Sequence, residues 1–225
     1  LACLSRLAHL PEQKVTIIRG SGADLTQYRA TPFPTGVPVV LLAARLLVDK
    51  GIREFVQSAR ILRQRGISAQ DARFVLVGKP DSANPASLCL DELAQWTEEG
   101  VVEVWGHRTD MPQVMEAAHV IVLPSYYGEG LPKVLIEAAA CGRAVVTTDH
   151  PGCRDAIVPN KTGLLVPVKN ALALADAIEY LIKNPDLRKK MGASGRALAE
   201  KEFAIEKIVA EHMKIYRKLM DKGGL

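Results

Sequence analysis

Two glutamates, Glu129 and Glu137, stand with seven residues between them, on either side of the turn Gly130-Leu131-Pro132. Carboxylates placed this way, one before a helix and one inside it, are suited to accepting hydrogen bonds from hydroxyls. The turn between them suits an anion. Pro132 favours the first turn of a helix, and the free N–H groups around Gly130 and Leu131 would point at a negative charge. With a helix starting at Leu131, the rise to Glu137 is roughly 9 Å, comparable to the span from a diphosphate to a ribose. The pair could therefore hold hydroxyls at opposite ends of one nucleotide sugar, and neither needs to be a general acid. Cations that would meet such an anion lie in other loops: Arg45 and Lys50, Lys79 after Gly78, and Arg108 after Gly106-His107.

The elements that must position these residues follow from the apolar pattern. Runs rich in Val, Ile and Leu recur at 37–44, 73–77, 101–105, 120–123, 144–147 and 163–166. Most are continuous and not alternating, the pattern of parallel strands covered on both faces. Helical patterns separate them at 52–65, 86–98, 111–118 and 131–141, with a short one at 153–157. Six strands alternating with helices predict an α/β fold, an open, doubly wound parallel sheet with right-handed crossovers. In such a sheet ligands bind outside the carboxyl ends of the strands, where the glycines and cations named above are concentrated. After Val166 helices take over, at 172–182, 187–201 and 205–220, with Pro185 and the Gly192/Gly195 pair punctuating the first two.

Residues 1–38 read differently: a short helix ending near Leu10, a lone strand at 15–18, the turn Gly20-Ser21-Gly22, and prolines at 32, 34 and 38. This is the composition of an entry linker. The 225 residues, 48% of them hydrophobic and 24% charged, exclude a disordered chain or a disulfide scaffold. The apolar run 37–47 is broken by Pro38 and Arg45 and falls short of a membrane span, which predicts a protein soluble or at most peripheral. Cys3, Cys89, Cys141 and Cys153 lie far apart, as expected of reduced thiols in a cytosolic compartment. The net charge of +4 favours anionic ligands. Taken singly, each candidate has a plainer reading: Glu137 as a solvated helix residue, Arg45 and Lys50 as loop and cap residues, Gly128 and Gly130 as chain-turning. No G-x-G-x-x-G follows the first strand and no G-x-x-x-x-G-K-[ST] is present, so ordinary dinucleotide and P-loop sites lose support.

Together the motifs carry a family resemblance. The block from Glu129-Gly130-Leu131-Pro132-Lys133-Val134-Leu135-Ile136-Glu137-Ala138 to Cys141-Gly142, continued by 144–149 and Thr162-Gly163-Leu164-Leu165-Val166, resembles the signature of glycosyltransferase family 4, group 1. Ala44-Arg45-Leu46 with Lys50-Gly51, Val77-Gly78, and Gly106-His107-Arg108-Thr109-Asp110 match further segments in order, so the resemblance runs from about Ile17 onward. It implies the C-terminal, donor-binding half of a retaining enzyme of the GT-B fold: Rossmann-like, with a helical C-terminal tail. The implied division is a linker at 1–36, a nucleotide-sugar-binding domain at 37–203 and a crossover helix at 204–225.

In similar enzymes the residues at Arg45 and Lys50 bind the donor diphosphate, the residue at Glu129 contacts the transferred sugar, and the residue at Glu137 holds the ribose. The resemblance places Gly130, Leu131 and Pro132 beside sugar and phosphates, and Gly78, Lys79 and Arg108 around the base. It implies a nucleoside diphosphate sugar, most often a UDP-sugar, as donor substrate, with no cofactor and no metal required. It implies a glycan or lipid-linked acceptor in bacterial polysaccharide, capsule or O-antigen synthesis, in the cytoplasm or at the inner face of the cell membrane, and no nucleic acid partner. The family's other half, which supplies the acceptor site, a Gly-rich loop and a histidine, has no counterpart in this chain; His119, ahead of a strand, reads as structural. The turn Gly20-Ser21-Gly22-Ala23-Asp24 lacks the asparagine often found there. Rival readings are a catalytically inactive nucleotide-binding module and a sugar-nucleotide epimerase.

Overall fold

The computed structural model describes residues 15–128 and 130–222. Its strands are β1 (Val39–Ala43), β2 (Arg73–Val77), β3 (Glu103–Val104), β4 (Val120–Leu123), β5 (Ala144–Thr148) and β6 (Gly163–Val166). They form one parallel sheet in the order β3-β2-β1-β4-β5-β6, as in a Rossmann-like doubly wound fold. The helices are α1 (Ile52–Gln64), α2 (Leu90–Glu98), α3 (Met111–Glu116), α4 (Lys133–Ala140), α5 (Ala171–Lys183), α6 (Pro185–Leu198) and α7 (Ile205–Lys222).

Successive residues of a strand point to opposite faces. In β1, Val40 and Leu42 face α1 and α5, meeting Phe55, Leu62, Ile178 and Leu181. Val39, Leu41 and Ala43 face α3 and α4, meeting Met115, Leu135 and Ala138. Both faces are dry, so the strands read as unbroken apolar runs. Helix α4 is enclosed on its far side as well, where Ile136, Ala139 and Ala140 pack with Phe203 from the π-helical turn Ala199–Phe203. A helix covered all round admits few polar side chains, and α4 has two, Lys133 and Glu137.

Several boundaries differ from expectation. Residues 15–18 form no strand; pairing in this segment comes at Ala23, which bridges to Ala204. The run 101–105 contracts to the two residues of β3, an edge strand paired on one side. The helix expected from Ala86 starts at Leu90, because the preceding backbone is held by the β1 loop: Val48 N–H donates to Ala86 O at 2.8 Å and Leu88 N–H to Leu46 O at 2.9 Å. Helix α4 starts at Lys133 with Pro132 extended before it, and 153–157 is a single 3-10 turn, Arg154–Ala156. Gly192 and Gly195 do not interrupt α6. A Cβ at Gly192 would lie 2.0 Å from the carbonyl oxygen of Gly142, so glycine there permits the close crossing of α6 over the end of α4. The helix candidate ending near Leu10 lies outside the described residues.

Past Ile208, α7 leaves the body of the domain with Val209, Met213, Tyr216, Leu219 and Met220 exposed. Among the described residues no helix is long and apolar enough to cross a membrane.

Candidate functional site

The chain leaves β1 toward β2 and β4 toward β5, so the loops after β1 and β4 diverge and open a crevice at their carboxyl ends. Two adjoining cavities occupy it, of about 290 Å³ and about 220 Å³, and share Ala43, Ala44, Arg45 and Val134.

One wall is built from the loops after β1, β2 and β3. Gly78 N–H donates to Gly106 O at 2.8 Å, and Leu46 N–H to Lys79 O at 3.1 Å. Gly78 has φ 145°, and a Cβ there would lie 2.0 Å from Ala44 O, so only glycine lets β2 turn this close to the β1 loop. The close turn sets Lys79 beside Arg45, and both line the larger cavity with His107 and Arg108. Arg45 is largely exposed, with Nη1 3.3 Å from Asp81 Oδ2. Arg108 is held by both oxygens of Asp110, which raises its guanidinium above the ordinary range.

The other wall joins the loops after β1 and β4. Tyr126 N–H donates to Asp49 O at 3.0 Å and Tyr126 Oη to Val48 O at 3.0 Å, clasping the 3-10 turn Val48–Lys50. Lys50, 8% exposed, holds its ammonium 4.8 Å from the Tyr127 ring centroid and lines the smaller cavity with Pro132 and Lys133.

Glu137 also lines the larger cavity; it is 6% exposed and so is no solvated helix residue. It sits one turn into α4, about 6 Å from the helix start instead of the longer rise expected from Leu131. Tyr28 Oη donates to Oε1 at 2.7 Å, and Lys133 Nζ lies 3.8 Å from the same oxygen. Burial raises the carboxyl's pKa, while the Tyr28 hydrogen bond and the Lys133 charge oppose that rise. Oε2 accepts from no described residue.

The crevice thus gathers Arg45, Gly78, Lys79, Arg108 and Glu137 around one cavity, and Lys50 and Pro132 around its neighbour. Leu131 packs into the core with α4, Gly130 is exposed, and neither lines these cavities. Glu129 lies outside the described residues. Asp81, Tyr127 and Tyr28 complete the surroundings. No sequence signal marks Tyr28, which comes from the segment read as a linker more than a hundred positions upstream of its partner. His119 is structural as expected: its Nδ1 accepts from Val39 N–H at 3.0 Å and its Nε2 meets Pro34 O at 3.0 Å. Chemically, three cations face a buried carboxylate with one oxygen to spare, an arrangement suited to a ligand bearing both phosphate and hydroxyls.

Comparison with known proteins bears on the family and the fold. Residues 25–198 match the family described as "Glycosyl transferases group 1". The chain is 32% identical over 228 residues to the N,N'-diacetylbacillosaminyl-diphospho-undecaprenol alpha-1,3-N-acetylgalactosaminyltransferase of Campylobacter jejuni, covering 94% of this chain and 56% of that protein. It is 29% identical over 185 residues to the capsular polysaccharide biosynthesis glycosyltransferase CapM of Staphylococcus aureus, covering 82% of this chain and 47% of CapM. Among solved structures, Anabaena Alr3699/HepE in complex with UDP superposes with a TM-score of 0.82 at 22% identity, covering 95% of this chain and 60% of that one; this likeness is one of fold. The chain spans about half the length of the curated relatives it matches.

Proposed function

The chain belongs to the group 1 glycosyl transferases, and from that premise we propose that it is the donor-binding half of a retaining enzyme of glycosyltransferase family 4. In this reading the enzyme moves a hexose or N-acetylhexosamine from a nucleoside diphosphate sugar, in the first place a UDP-sugar, to a glycan or lipid-linked acceptor in bacterial polysaccharide synthesis. The observation that carries it is the crevice between β1 and β4, with Arg45, Lys79 and Arg108 facing the buried Glu137.

Each residue then has a physical task. Arg45 and Lys50 take the diphosphate and neutralise the charge that grows on it as the sugar bond breaks; cations fixed before the reaction do this without a metal. Glu137 accepts from the ribose hydroxyls through Oε2. Gly78, Lys79 and Arg108 frame the base, Gly130, Leu131 and Pro132 lie toward the sugar and phosphates, and Glu129 contacts the transferred sugar. The acceptor site belongs to a second domain of the same protein, and the exposed apolar face of α7 supports a contact of that kind. The diphospho-undecaprenol in the Campylobacter relative's name supports a lipid-linked acceptor, and with it a place in the cytoplasm or at the inner face of the membrane.

Calorimetric titration with UDP, UDP-sugars and GDP-sugars tests the reading. The expected result is binding of UDP and its sugars, weakened about tenfold by Arg45→Ala, the loss of one charge-assisted contact. No binding to any of these ligands, or an Arg45→Ala variant that binds like wild type, would refute it.

A further inference from the structure

The carboxylate that the donor-site reading assigns to the ribose is not free to choose its orientation. Glu137 lines the larger cavity; its Oε1 receives the Tyr28 hydroxyl at 2.7 Å, while Oε2 accepts from no described residue. Tyr28 is in turn fixed by its own backbone. Its N–H donates to Asp24 O at 2.9 Å, and its carbonyl accepts from Arg196 Nη1 at 2.9 Å. The same Arg196 nitrogen donates to Ala140 O at 2.8 Å, so one guanidinium clips the Tyr28 segment to the last turn of the helix that carries Glu137. The phenol and the carboxylate are thereby held in one rigid frame, although they are distant in sequence.

We propose that Tyr28 is a positioning residue for hydroxyl recognition: it occupies Oε1 of Glu137 and thereby turns Oε2 toward the ligand's vicinal diol. The proposal rests on the donor-site reading and adds to it a residue from outside the crevice. Two physical consequences follow. A carboxylate pinned through one oxygen presents the other at a fixed angle, so less conformational entropy is lost when a hydroxyl binds. The donated hydrogen bond also favours the ionised carboxylate, against a burial that disfavours it. Burial and the Glu137 charge hold the phenol above its ordinary range, so it remains a donor at neutral pH. The other charged or titratable groups facing Glu137 are Lys133 on its own helix, Cys141, whose thiol burial pushes up to about 12, and Arg45, Lys79, His107 and Arg108 across the cavity.

The test is a titration of wild type, Tyr28→Phe, Glu137→Gln and the double variant with two probes, UDP and a uridine diphosphate lacking both ribose hydroxyls. Tyr28→Phe is expected to weaken UDP about tenfold and to leave the dideoxy probe within about twofold, which also reports an intact fold. In the Glu137→Gln background it is expected to add nothing. The acid limb of UDP binding is expected to move to higher pH in Tyr28→Phe, because the contact that kept the carboxyl ionised is gone. Equal losses for both probes, additive losses in the double variant, or an unmoved pH limb would overturn the positioning role while leaving the donor site standing. A wild type that binds neither probe would overturn both.

Discussion

Glu137 and Arg143 are six residues apart, both buried, and unlike in how their bonding capacity is used. Arg143 follows α4 at the amino end of β5, and every nitrogen of its guanidinium has a partner, with four of its five N–H groups donating. Nε donates to Met115 O at 3.1 Å, Nη1 to Thr31 O at 2.9 Å, and Nη2 to Thr31 Oγ1 at 2.8 Å and Glu116 O at 3.1 Å, with the Phe33 ring 4.7 Å from the carbon at its centre. Glu137 lines the crevice at the carboxyl end of the strands, with one oxygen bonded and the other accepting from no described residue. Burial alone does not distinguish the two, and neither does space. A groove of about 720 Å³, larger than either cavity of the crevice, lies near Arg143 between Phe33 and Arg196, but Arg196 is committed to two carbonyls. A buried charge bonded at every nitrogen holds the fold; one with an oxygen left over beside a cavity is what a ligand can use.

The largest effect that could break this contrast is on stability. Arg143→Ala strands buried carbonyls and leaves a void, and is expected to lower the free energy of unfolding by about 3 kcal/mol or more, while UDP binding per folded molecule stays near wild type. Glu137→Gln removes a charge whose burial was itself unfavourable, so its unfolding free energy should stay within about 1 kcal/mol of wild type while UDP binding falls. Urea unfolding of the two variants side by side measures this. Equal destabilisation would remove the distinction between them.

A smaller effect sharpens the saturated side. Burial lowers the pKa of His119, with Arg188 and Arg143 adding to the depression against the opposing hydrogen bond to Pro34. The folded protein therefore binds fewer protons than the unfolded chain once pH falls below the ordinary histidine value of roughly 6.5. Its contribution to stability is complete above that pH and declines below it, toward the folded pKa, by at most about 1.4 kcal/mol per pH unit. Urea midpoints at pH 7.5 and 5.5 should fall for wild type by more than for His119→Gln, which has no such group to protonate; parallel falls would contradict the assignment.

The same contrast explains what the sequence could and could not convey. Strand positions were legible because parallel strands covered on both faces leave continuous apolar runs, and all six begin and end within two residues of expectation. The edge strand β3 was overestimated because an apolar run does not reveal how much pairing an edge will support. The crevice was legible where glycine and cation follow a strand directly, as at Arg45, Gly78, Lys79 and Arg108. Glu137 was legible by its spacing from Glu129, but its burial was not, since that depends on distant residues such as Tyr28 that pack against it. Tyr28 and the Thr31–Arg143 contacts were invisible for a related reason: a proline-rich segment reads as a linker, and only the folded backbone shows it fastened to α4 and to the start of β5.

The central claim is that the crevice between β1 and β4 binds a nucleoside diphosphate through the unsaturated side of the molecule. A crystal structure of the chain soaked with UDP tests it most directly. The diphosphate is expected against Arg45 and Lys50, with the ribose hydroxyls on Oε2 of Glu137. Nucleotide ordered in the groove beside Phe33 and Arg196, or a crevice left empty at saturating UDP, would contradict it.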